Sequence, residues 1–517
     1  MSYTISTAFL KSFFLSILYL WQPATGCSQS ALDTVFVTIP SGRMDYMETF
    51  NEVGRQTGYY FMYDSQLLDA RARTRIRRGQ YALLELVSML LRDKMLDFNT
   101  MDRYIILFKA GNDRRDILEE PSGIADHYTA KGRVKDASSG VPLPFASVLL
   151  TGQNKGVSSN SDGQFRFSLS GEFLYDTVRI SFMGYAPRYI PVILLINGQM
   201  DIYMEIESVS LDEIMVPWFD PLVILREAIE KIPVNYQSSP SGHKSFYREG
   251  TFKSDRVLNY SEAVFHVYKT GYSTQSPDQV RLLKSRKITN ATDRDTLMLK
   301  LQAGVKSMLE LDVIKYPPDF LTESYLHNLV FTHSGYEWYN SGLVYVIDFE
   351  KAPFAPERIY YGRIFIERES RDIIRVDFGV KNEFLRRNQN RFLPRRSKGH
   401  ITQIRSMDYS VRYQRMGNYY HIAHVRGDIE MRIRERGKIS GNRFRAFFEM
   451  ATLEVDTCNA GRPGLRERFR TNTIFADHNF HYDPDFWEGF SFIQPEESLH
   501  KAMQVIHARI ESTVEED

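Results

Sequence analysis

The segment Asp162-Gly163-Gln164-Phe165-Arg166-Phe167 alternates polar and apolar side chains directly after an Asp-Gly pair. Alternation with a period of two is typical of a strand with one buried face. The Asp-Gly pair fits a tight hairpin, because glycine accepts the positive φ that such a turn needs. Similar short runs lie at residues 132–134, 142–148 and 178–185, and turn residues separate them. This spacing predicts an antiparallel β-sandwich over residues 128–206.

This predicted sandwich resembles the carboxypeptidase-regulatory-like domain, a transthyretin-like fold. The most specific part of the likeness is Ser181-Phe182-Met183-Gly184-Tyr185. Despite the family name, the resemblance implies no peptidase activity. In many outer-membrane receptors the same module precedes a plug and a barrel, and residues 210–216 (SLDEIMV) are similar to the segment that follows it there.

Residues 33–110 carry the pattern strand, amphipathic helix, strand twice, which predicts a small α+β unit. Asp45 with Glu48 three positions later forms a capping-box pattern, and Gly58 stands where a left-handed residue ends a helix. Through residues 50–59 (FNEVGRQTGY) and 104–107 (YIIL), this unit resembles the short N-terminal domain of secretins and TonB-dependent receptors. The resemblance implies a periplasmic module that can contact an anti-sigma regulator.

Four arginines, Arg71, Arg73, Arg75 and Arg77, occupy every second position of this unit. We expect a strand over Thr74–Arg78, and on a strand all four guanidinium groups would project from one face. One interpretation is a basic docking edge for a partner strand. The other is a solvated edge whose charges discourage aggregation.

The start of the chain predicts export. Residues 9–21 form the only long apolar run, and a dozen or so residues are too few for a membrane-spanning helix, so residues 1–28 are interpreted as a signal peptide. Cys27 is the candidate lipidation residue, through a lipobox-like cut before it. The alternative is an ordinary cut after Ser28, which we favour because leucine is usual where Ala24 stands. Either route leads to the periplasm or the outer membrane.

Residues 111–127 are expected to form a linker and residues 207–517 a β-rich C-terminal domain. In the latter, Asp220 and Pro221 open a predicted helix that Pro233 should end. Six aromatic-rich strand candidates follow, with a helical interruption at 305–313: 343–349, 362–366, 373–380, 401–413, 419–427 and 444–455. They predict a large curved antiparallel sheet. This arrangement resembles the C-terminal region of envelope proteins that carry a regulatory-like sandwich, and the open half-barrel of lipoprotein carriers. The fold class is therefore multidomain, α+β and all-β.

The sequence lacks the common catalytic and metal-binding motifs. None of Gly-x-Ser-x-Gly, Gly-x-x-x-x-Gly-Lys and His-Glu-x-x-His occurs in the sequence. His421 and His424, like His478 and His481, are three positions apart, so on a strand their rings point to opposite faces. The segment 482–487 (YDPDFW) has two interpretations, a carbohydrate-binding surface or a turn that docks a C-terminal helix at 495–510. We expect no enzyme, no cofactor and no metal.

The remaining length and charge limit the function. About 300 residues follow the sandwich, too few for a plug and a 22-stranded barrel. The net charge of +1 gives no global attraction to nucleic acid. We expect a non-catalytic periplasmic or outer-membrane-associated adaptor that assists uptake, signalling or envelope assembly. Its partner would be an envelope protein such as an anti-sigma regulator or an outer-membrane receptor. The alternatives are a lipid or lipoprotein carrier, an unrecognised hydrolase and a small membrane-embedded barrel.

Overall fold

The structure is a computed structural model. It describes residues 32–109 (without 41–43, 64–67, 69–71, 75, 93–95 and 102–103), 127–207 (without 197), 219–289 (without 255), 304–353, 360–392, 400–473, 475, 491 and 493. The chain divides into two compact units, Met1–Asp116 and Ile117–Asp517. Cys27, His478, His481 and the segment 482–487 lie outside the described residues.

The first unit contains the predicted order of strands and helices. Its elements are β1 Phe36–Ile39, α1 Tyr46–Thr57, β2 Tyr60–Met62, β3 Gly79–Ala82, α2 Leu83–Leu91, β4 Leu96–Met101 and β5 Tyr104–Lys109. Strand β1 pairs antiparallel with β3, while β5 lies between parallel β2 and antiparallel β4. Helix α1 packs its apolar face inward through Phe50 and Val53, which are buried.

Both predicted caps of α1 are present. The Asp45 carboxylate accepts a hydrogen bond from the Glu48 N–H at 2.7 Å, and Glu48 accepts one from the Asp45 N–H at 2.9 Å. Gly58 ends the helix at φ 72°, with its N–H donating to the Gly54 carbonyl. The prediction of a strand at Thr74–Arg78 is wrong, because β3 begins only at Gly79. Thr74 instead uses its N–H and its hydroxyl to donate to the Met44 carbonyl, just before α1.

Residues 127–207, here called the sandwich domain, contain seven strands in two sheets. They are β6 His127–Asp136, β7 Ser147–Leu150, β8 Gly156–Ser158, β9 Gln164–Ser170, β10 Thr177–Ser181, β11 Arg188–Pro191 and β12 Met200–Met204. One sheet has the order β11-β10-β7-β8 and the other the order β12-β6-β9. Along β9, Phe165, Phe167 and Leu169 are buried, which is the predicted alternation.

The Asp162-Gly163 pair does not form the expected hairpin. Strand β8 pairs with β7 and strand β9 with β6, so the turn carries the chain from one sheet to the other. The Asn160 side chain holds this turn by accepting hydrogen bonds from the N–H groups of Asp162 and Gln164. An asparagine side chain that bonds the backbone two residues on replaces ladder pairing in such turns. Gly163 does adopt the predicted positive φ, 73°.

The rest of the second unit is built on one sheet of ten antiparallel strands, called the large sheet. Its strands are β13 Ser241–Lys253, β14 Arg256–Lys269, β15 Gln279–Thr289, β16 Leu329–Tyr339, β17 Gly342–Lys351, β18 Tyr360–Glu367, β19 Ile373–Val380, β20 His400–Met416, β21 Tyr419–Glu435 and β22 Asn442–Asp456. Their order is β15-β14-β13-β22-β21-β20-β19-β18-β17-β16. This confirms a β-rich protein with a large antiparallel sheet, and each of the six predicted strand segments overlaps one of β17 to β22.

Among the described residues, four helices accompany the large sheet: α3 Pro221–Asn235, α4 Gly304–Glu310, α5 Glu323–Leu326 and α6 Asn382–Phe392. Leu225 of α3, Met308 of α4 and Leu326 of α5 belong to the core on one face of the sheet. Pro233 does not end α3, contrary to the sequence prediction, because in the last turn its missing N–H forfeits only one helical bond. The Tyr236 N–H still closes the helix on the Ile232 carbonyl at 3.1 Å.

Candidate functional site

One residue from every strand of the large sheet forms a continuous row across it. The cross-strand register aligns, from β16 to β15, Thr332, Asp348, Arg363, Asp377, Ser410, Arg426, Glu449, Arg248, Glu262 and Arg286. The charged members of this charge row alternate in sign along its whole length. Opposite charges placed directly across from one another stabilise neighbouring strands, so the row favours this register.

The two ends of the charge row differ in burial. At one end, the side chains of Arg363 and Asp348 are 47% and 43% exposed. Towards the other end, Arg248 and Glu449 are both fully buried, and their side chains form an ion pair. The row therefore runs from a solvated part of the sheet into its interior.

Glu449 is the centre of the buried end. Its carboxylate is paired with Arg248, accepts a hydrogen bond from His424 Nε2 at 2.7 Å and lies 3.8 Å from Arg426. Burial opposes ionisation of Glu449, but the charge of Arg248 and the hydrogen bond from His424 outweigh it and hold its pKa well below the usual value. The carboxylate is thus ionised and compensated, which suits a structural role.

An open groove of about 1180 Å³ lies at the exposed end of the charge row. Strands β16 to β20 and helix α6 contribute its lining, which includes Asp348, Arg363 and Asp377 of the row. Lys351 and Glu383 add further charges of both signs. The groove therefore presents alternating charges to solvent.

Tyr361 is the exposed aromatic residue of the groove, with 43% of its surface accessible. Opposite it on β19 stands Gly379, where an added Cβ would lie 2.8 Å from the Tyr361 hydroxyl and 2.8 Å from Asp408 Oδ1. The absence of a side chain at Gly379 lets these two groups approach the strand. Burial and the charges of Asp428 and Glu430 raise the pKa of Asp408.

The sandwich domain packs directly on the large sheet. Lys155 forms a β-bridge and a 3.4 Å ion pair with Glu454, and Leu149 joins Met416 and Val455 in a buried apolar cluster. The edge strand β16 receives a hydrogen bond from the sandwich domain, since the Gly184 N–H donates to the Trp338 carbonyl at 2.6 Å. The two parts of the second unit are thus tied together at both polar and apolar contacts.

The segment Ser181–Tyr185, which carries the sequence resemblance, has a defined role in this packing. The Tyr185 hydroxyl donates to Asp136 at 2.8 Å, next to the Gly184 contact with β16. Burial opposes ionisation of Asp136, but hydrogen bonds from Ser138, Ser139 and Tyr185 lower its pKa overall. Burial and this hydrogen bond raise the pKa of Tyr185 to about 12. The hydroxyl therefore stays a donor at neutral pH.

A second group of buried charges lies on the core face. Lys269 pairs with Asp278 at 3.2 Å and with Asp312, and Lys315 also pairs with Asp278. Burial lowers the pKa of Lys269, but the two carboxylates raise it by a larger amount, so the net shift is upward. A catalytic lysine needs the opposite shift. A cavity of about 10 Å³ beside the group offers room for about one water.

The predicted arginine edge is only partly described. Arg73 forms an isolated β-bridge with Asp45, and Arg77 is exposed just before β3, where its carbonyl accepts a hydrogen bond from the Tyr81 hydroxyl. Arg71 and Arg75, like Cys27, lie outside the described residues. Docking of a partner at this edge stays a prediction.

His421 and His424 have separate surroundings. The ring of His421 lies against His243, with centroids 5.4 Å apart, whereas His424 bonds Glu449. Within the described part of the chain, no three His, Cys, Asp or Glu side chains converge as a metal site would require. No described helix is both long and apolar enough to cross a membrane.

The charge row and the groove were missed by sequence reasoning. A local signal exists in the alternating pairs Arg375-x-Asp377 and Arg426-x-Asp428, which suit the polar face of a strand. Such residue pairs do not show which strands lie side by side. The charge row forms only because those strands are neighbours in the sheet.

Comparison with known proteins gives one family match. Residues 130–216 match the CarboxypepD_reg-like domain, which confirms the predicted resemblance of the sandwich domain. The chain is also similar to the TonB-dependent receptor SusC of Bacteroides thetaiotaomicron, with 30% identity over 118 residues. That match covers 23% of this chain and 10% of the receptor, so the chain spans about a tenth of the length of the curated relative it matches. The N-terminal region is thus receptor-like.

Likenesses to solved structures are weak. A DUF1329 family protein from Desulfovibrio piger has 10% identity and a TM-score of 0.21, covering 47% of this chain and 96% of that one. Lipovitellin has 6% identity and a TM-score of 0.21, covering 44% and 26%. FpvA of Pseudomonas aeruginosa has 8% identity and a TM-score of 0.13, covering 84% and 60%. Scores this low define no shared fold.

Proposed function

We propose that this chain is a non-catalytic binding protein of the bacterial envelope that assists receptor-type uptake, signalling or envelope assembly. Its sandwich domain belongs to a type that also occurs in receptors, and the similarity to a TonB-dependent receptor supports an envelope location. The predicted signal peptide at residues 1–28 and the resemblance of the first unit to the short secretin and TonB N-terminal domain point the same way.

The groove at the exposed end of the charge row is the proposed binding site, and a polypeptide segment of an envelope protein is its proposed occupant. The observation that carries this proposal is the combination of size and lining. The volume of the groove, about 1180 Å³, is larger than that of most small-molecule pockets, which measure roughly 300–1,000 Å³. Its lining offers carboxylates, guanidinium groups and the exposed ring of Tyr361, which suit the mixed charges and apolar side chains of a peptide.

The alternative of a lipid carrier has less support. An acyl chain needs an apolar cavity, but the apolar face of the large sheet is covered by side chains of the protein's own helices, such as Leu225 and Met308. A cavity on that face, beside Lys269, measures only about 10 Å³. A hydrolase also has less support, because the buried carboxylates of Glu449 and Asp278 are compensated by basic groups.

Site-specific photo-crosslinking tests the proposal in the living cell. A photoreactive phenylalanine analogue replaces Tyr361 in the groove, and the same analogue at Tyr175 serves as the control. Tyr175 is 63% exposed and lies in the sandwich domain, away from the groove lining. We expect a protein adduct at position 361 and none of the same mass at position 175.

A second substitution makes the test specific for the groove. Arg363→Glu places a like charge opposite both Asp348 and Asp377, so it should abolish the adduct formed at position 361. An adduct that forms equally at positions 361 and 175, or that survives Arg363→Glu unchanged, would overturn the groove as the binding site. A lipid adduct at position 361 instead of a protein would favour the carrier.

A further inference from the structure

A second cavity lies where the sandwich domain packs on the large sheet. It measures about 50 Å³, several times the roughly 15 Å³ that one water requires. Ser181 and Phe145 of the sandwich domain line it, together with Arg412 and His424 of the large sheet. Arg375 also lines it, and its side chain is a quarter exposed.

Three buried polar atoms of this lining have no hydrogen-bond partner: Arg412 Nε, His424 Nδ1 and Ser181 Oγ. A buried polar group without a partner is costly, and native proteins satisfy nearly all of them. Three such atoms around one cavity indicate a polar occupant.

The charge of the cavity is positive. Arg412 Nη1 donates to the Phe145 carbonyl at 2.8 Å, and the guanidinium lies over the Phe145 ring, but among the described residues Arg412 has no carboxylate in ion-pair range. The neighbouring Arg375 and Arg426 are already paired with Asp377 and Asp428. Burial and the charge of Arg375 lower the pKa of Arg412 to about 10, so it remains a cation at neutral pH. The occupant must therefore carry negative charge.

Phe145 holds this arrangement in a strained backbone. Its φ of 61° lies in the left-handed region, which bulky residues rarely adopt. This conformation directs the Phe145 carbonyl to Arg412 and places its ring 5.1 Å from that of His424. Such strain persists where the surroundings enforce it and often marks a functional site.

His424 adds a requirement that a simple anion does not meet. Its Nε2 faces the Glu449 carboxylate, which only accepts, so Nε2 carries the proton. Burial lowers the pKa of His424, so the ring is neutral and Nδ1 is an acceptor. The occupant must offer a hydrogen-bond donor to Nδ1 as well as oxygens to Arg412.

We propose that this cavity binds inorganic hydrogen phosphate, whose charged oxygens accept from Arg412 Nε and the Ser181 hydroxyl while its P–OH donates to His424 Nδ1. Sulfate has the same size and charge but no hydroxyl. Methyl phosphate is a dianion without P–OH at about pH 8, because the second pKa of phosphate esters is about 6. The site should therefore discriminate among three oxyanions of similar size.

Isothermal titration calorimetry of the full chain at about pH 8 tests this, with phosphate, sulfate and methyl phosphate at matched ionic strength. We expect binding of phosphate and no measurable binding of the other two. Ser181→Ala should weaken phosphate binding about tenfold, and Arg412→Met should weaken it at least about as much. Ser261→Ala is the matched control, because Ser261 is also buried and its hydroxyl also lacks a partner, but it lies outside this cavity.

Several results would overturn the site. Wild-type protein that binds no phosphate would mean that the cavity holds only water. Sulfate or methyl phosphate binding as tightly as phosphate would refute the role of His424 Nδ1. Equal effects of Ser181→Ala and Ser261→Ala would place binding elsewhere. Circular dichroism shows whether Arg412→Met is folded. If it is not, the affinity of Ser181→Ala for phosphate decides whether this cavity is the binding site.

Discussion

The buried ion pair of Arg248 and Glu449 makes the sharpest stability prediction. Both side chains are fully buried, and the Arg248 guanidinium also lies 5.6 Å from the centre of the Phe447 ring. Arg248→Met fills most of the same space but leaves Glu449 without its directly bonded cation. Breaking a buried pair in this way costs about 3–5 kcal/mol. Because Glu449 keeps His424 at 2.7 Å and Arg426 at 3.8 Å, we expect the lower end, about 3 kcal/mol.

Urea unfolding followed by tryptophan fluorescence measures this loss, since Trp338 lies in β16 of the large sheet. Arg443→Met is the matched control, because Arg443 pairs with Glu430 at 2.6 Å on the same sheet but is 72% exposed. An exposed pair of this kind contributes at most about 1 kcal/mol. If Arg248→Met destabilises no more than Arg443→Met, the buried end of the charge row does not stabilise the sheet.

A double variant separates the lost pair from lost packing. Arg248→Met combined with Glu449→Leu removes both charges, and apolar replacements of buried pairs are often neutral or stabilising. We expect the double variant to be more stable than Arg248→Met alone. A double variant that is less stable would show that shape, not the uncompensated carboxylate, accounts for the loss.

Three further predictions concern pH, backbone strain and processing. Burial lowers the pKa of His421 from 6.5 to about 4, so above pH 6.5 the ring is neutral in both the folded and the unfolded chain and its protonation does not affect stability. As the pH falls from 6.5 towards 4, about 3 kcal/mol should be lost, and urea titrations of His421→Phe should show a flatter pH dependence. Gly163→Ala should lower the urea midpoint more than Gly152→Ala. Both glycines have φ near 75°, but an added Cβ at Gly163 would lie 2.3 Å from the Val134 carbonyl oxygen, whereas at Gly152 it would meet nothing within 4 Å. Radiolabelled palmitate should label neither the native chain nor Cys27→Ala if the signal peptide is cut after Ser28, and label in the native chain alone would refute that route.

Local signals in the sequence predicted local structure well. The capping box of Asp45 and the left-handed Gly58 were readable because both ends of that interaction lie within a few residues. The same holds for the strand at Ile373–Val380, whose bounds the sequence pattern reproduces. The sandwich domain was predictable as a sandwich because its turn residues separate short alternating strands, and its family was indicated by the resemblance that Ser181–Tyr185 carries.

Features that depend on distant pairing were out of reach. Arg248 and Glu449 are 201 positions apart in the chain, and only the register of β13 with β22 brings them together. Strands β13 and β14 also gave no alternating pattern, because nearly every residue is buried on both faces. Their polar residues are buried because a partner strand compensates them, and that compensation cannot be inferred from one segment alone. The turn at Asp162 was misread for a similar reason, since a tight turn does not reveal whether its strands share a sheet.

The burial gradient along the charge row explains how one pattern of charges can both stabilise the sheet and bind a partner. At the buried end, each charge has lost its hydration, so separating Arg248 from Glu449 is costly and that part of the sheet is held in one register. At the exposed end, the Arg363–Asp348 pair is nearly half exposed and contributes at most about 1 kcal/mol. An incoming carboxylate or ammonium group can therefore exchange for one member of that pair at little cost. The exposed charges therefore have a fixed spacing, because the buried ion pair holds the strands of the sheet in one register. A partner can bind to this fixed set of charges. We expect Arg248→Met to leave the lining of the groove intact but to weaken partner binding, because the sheet becomes less rigid. Arg363→Glu should abolish binding and lower the free energy of unfolding by only about 1–2 kcal/mol, because it removes one exposed pair and adds two partly exposed like-charge contacts.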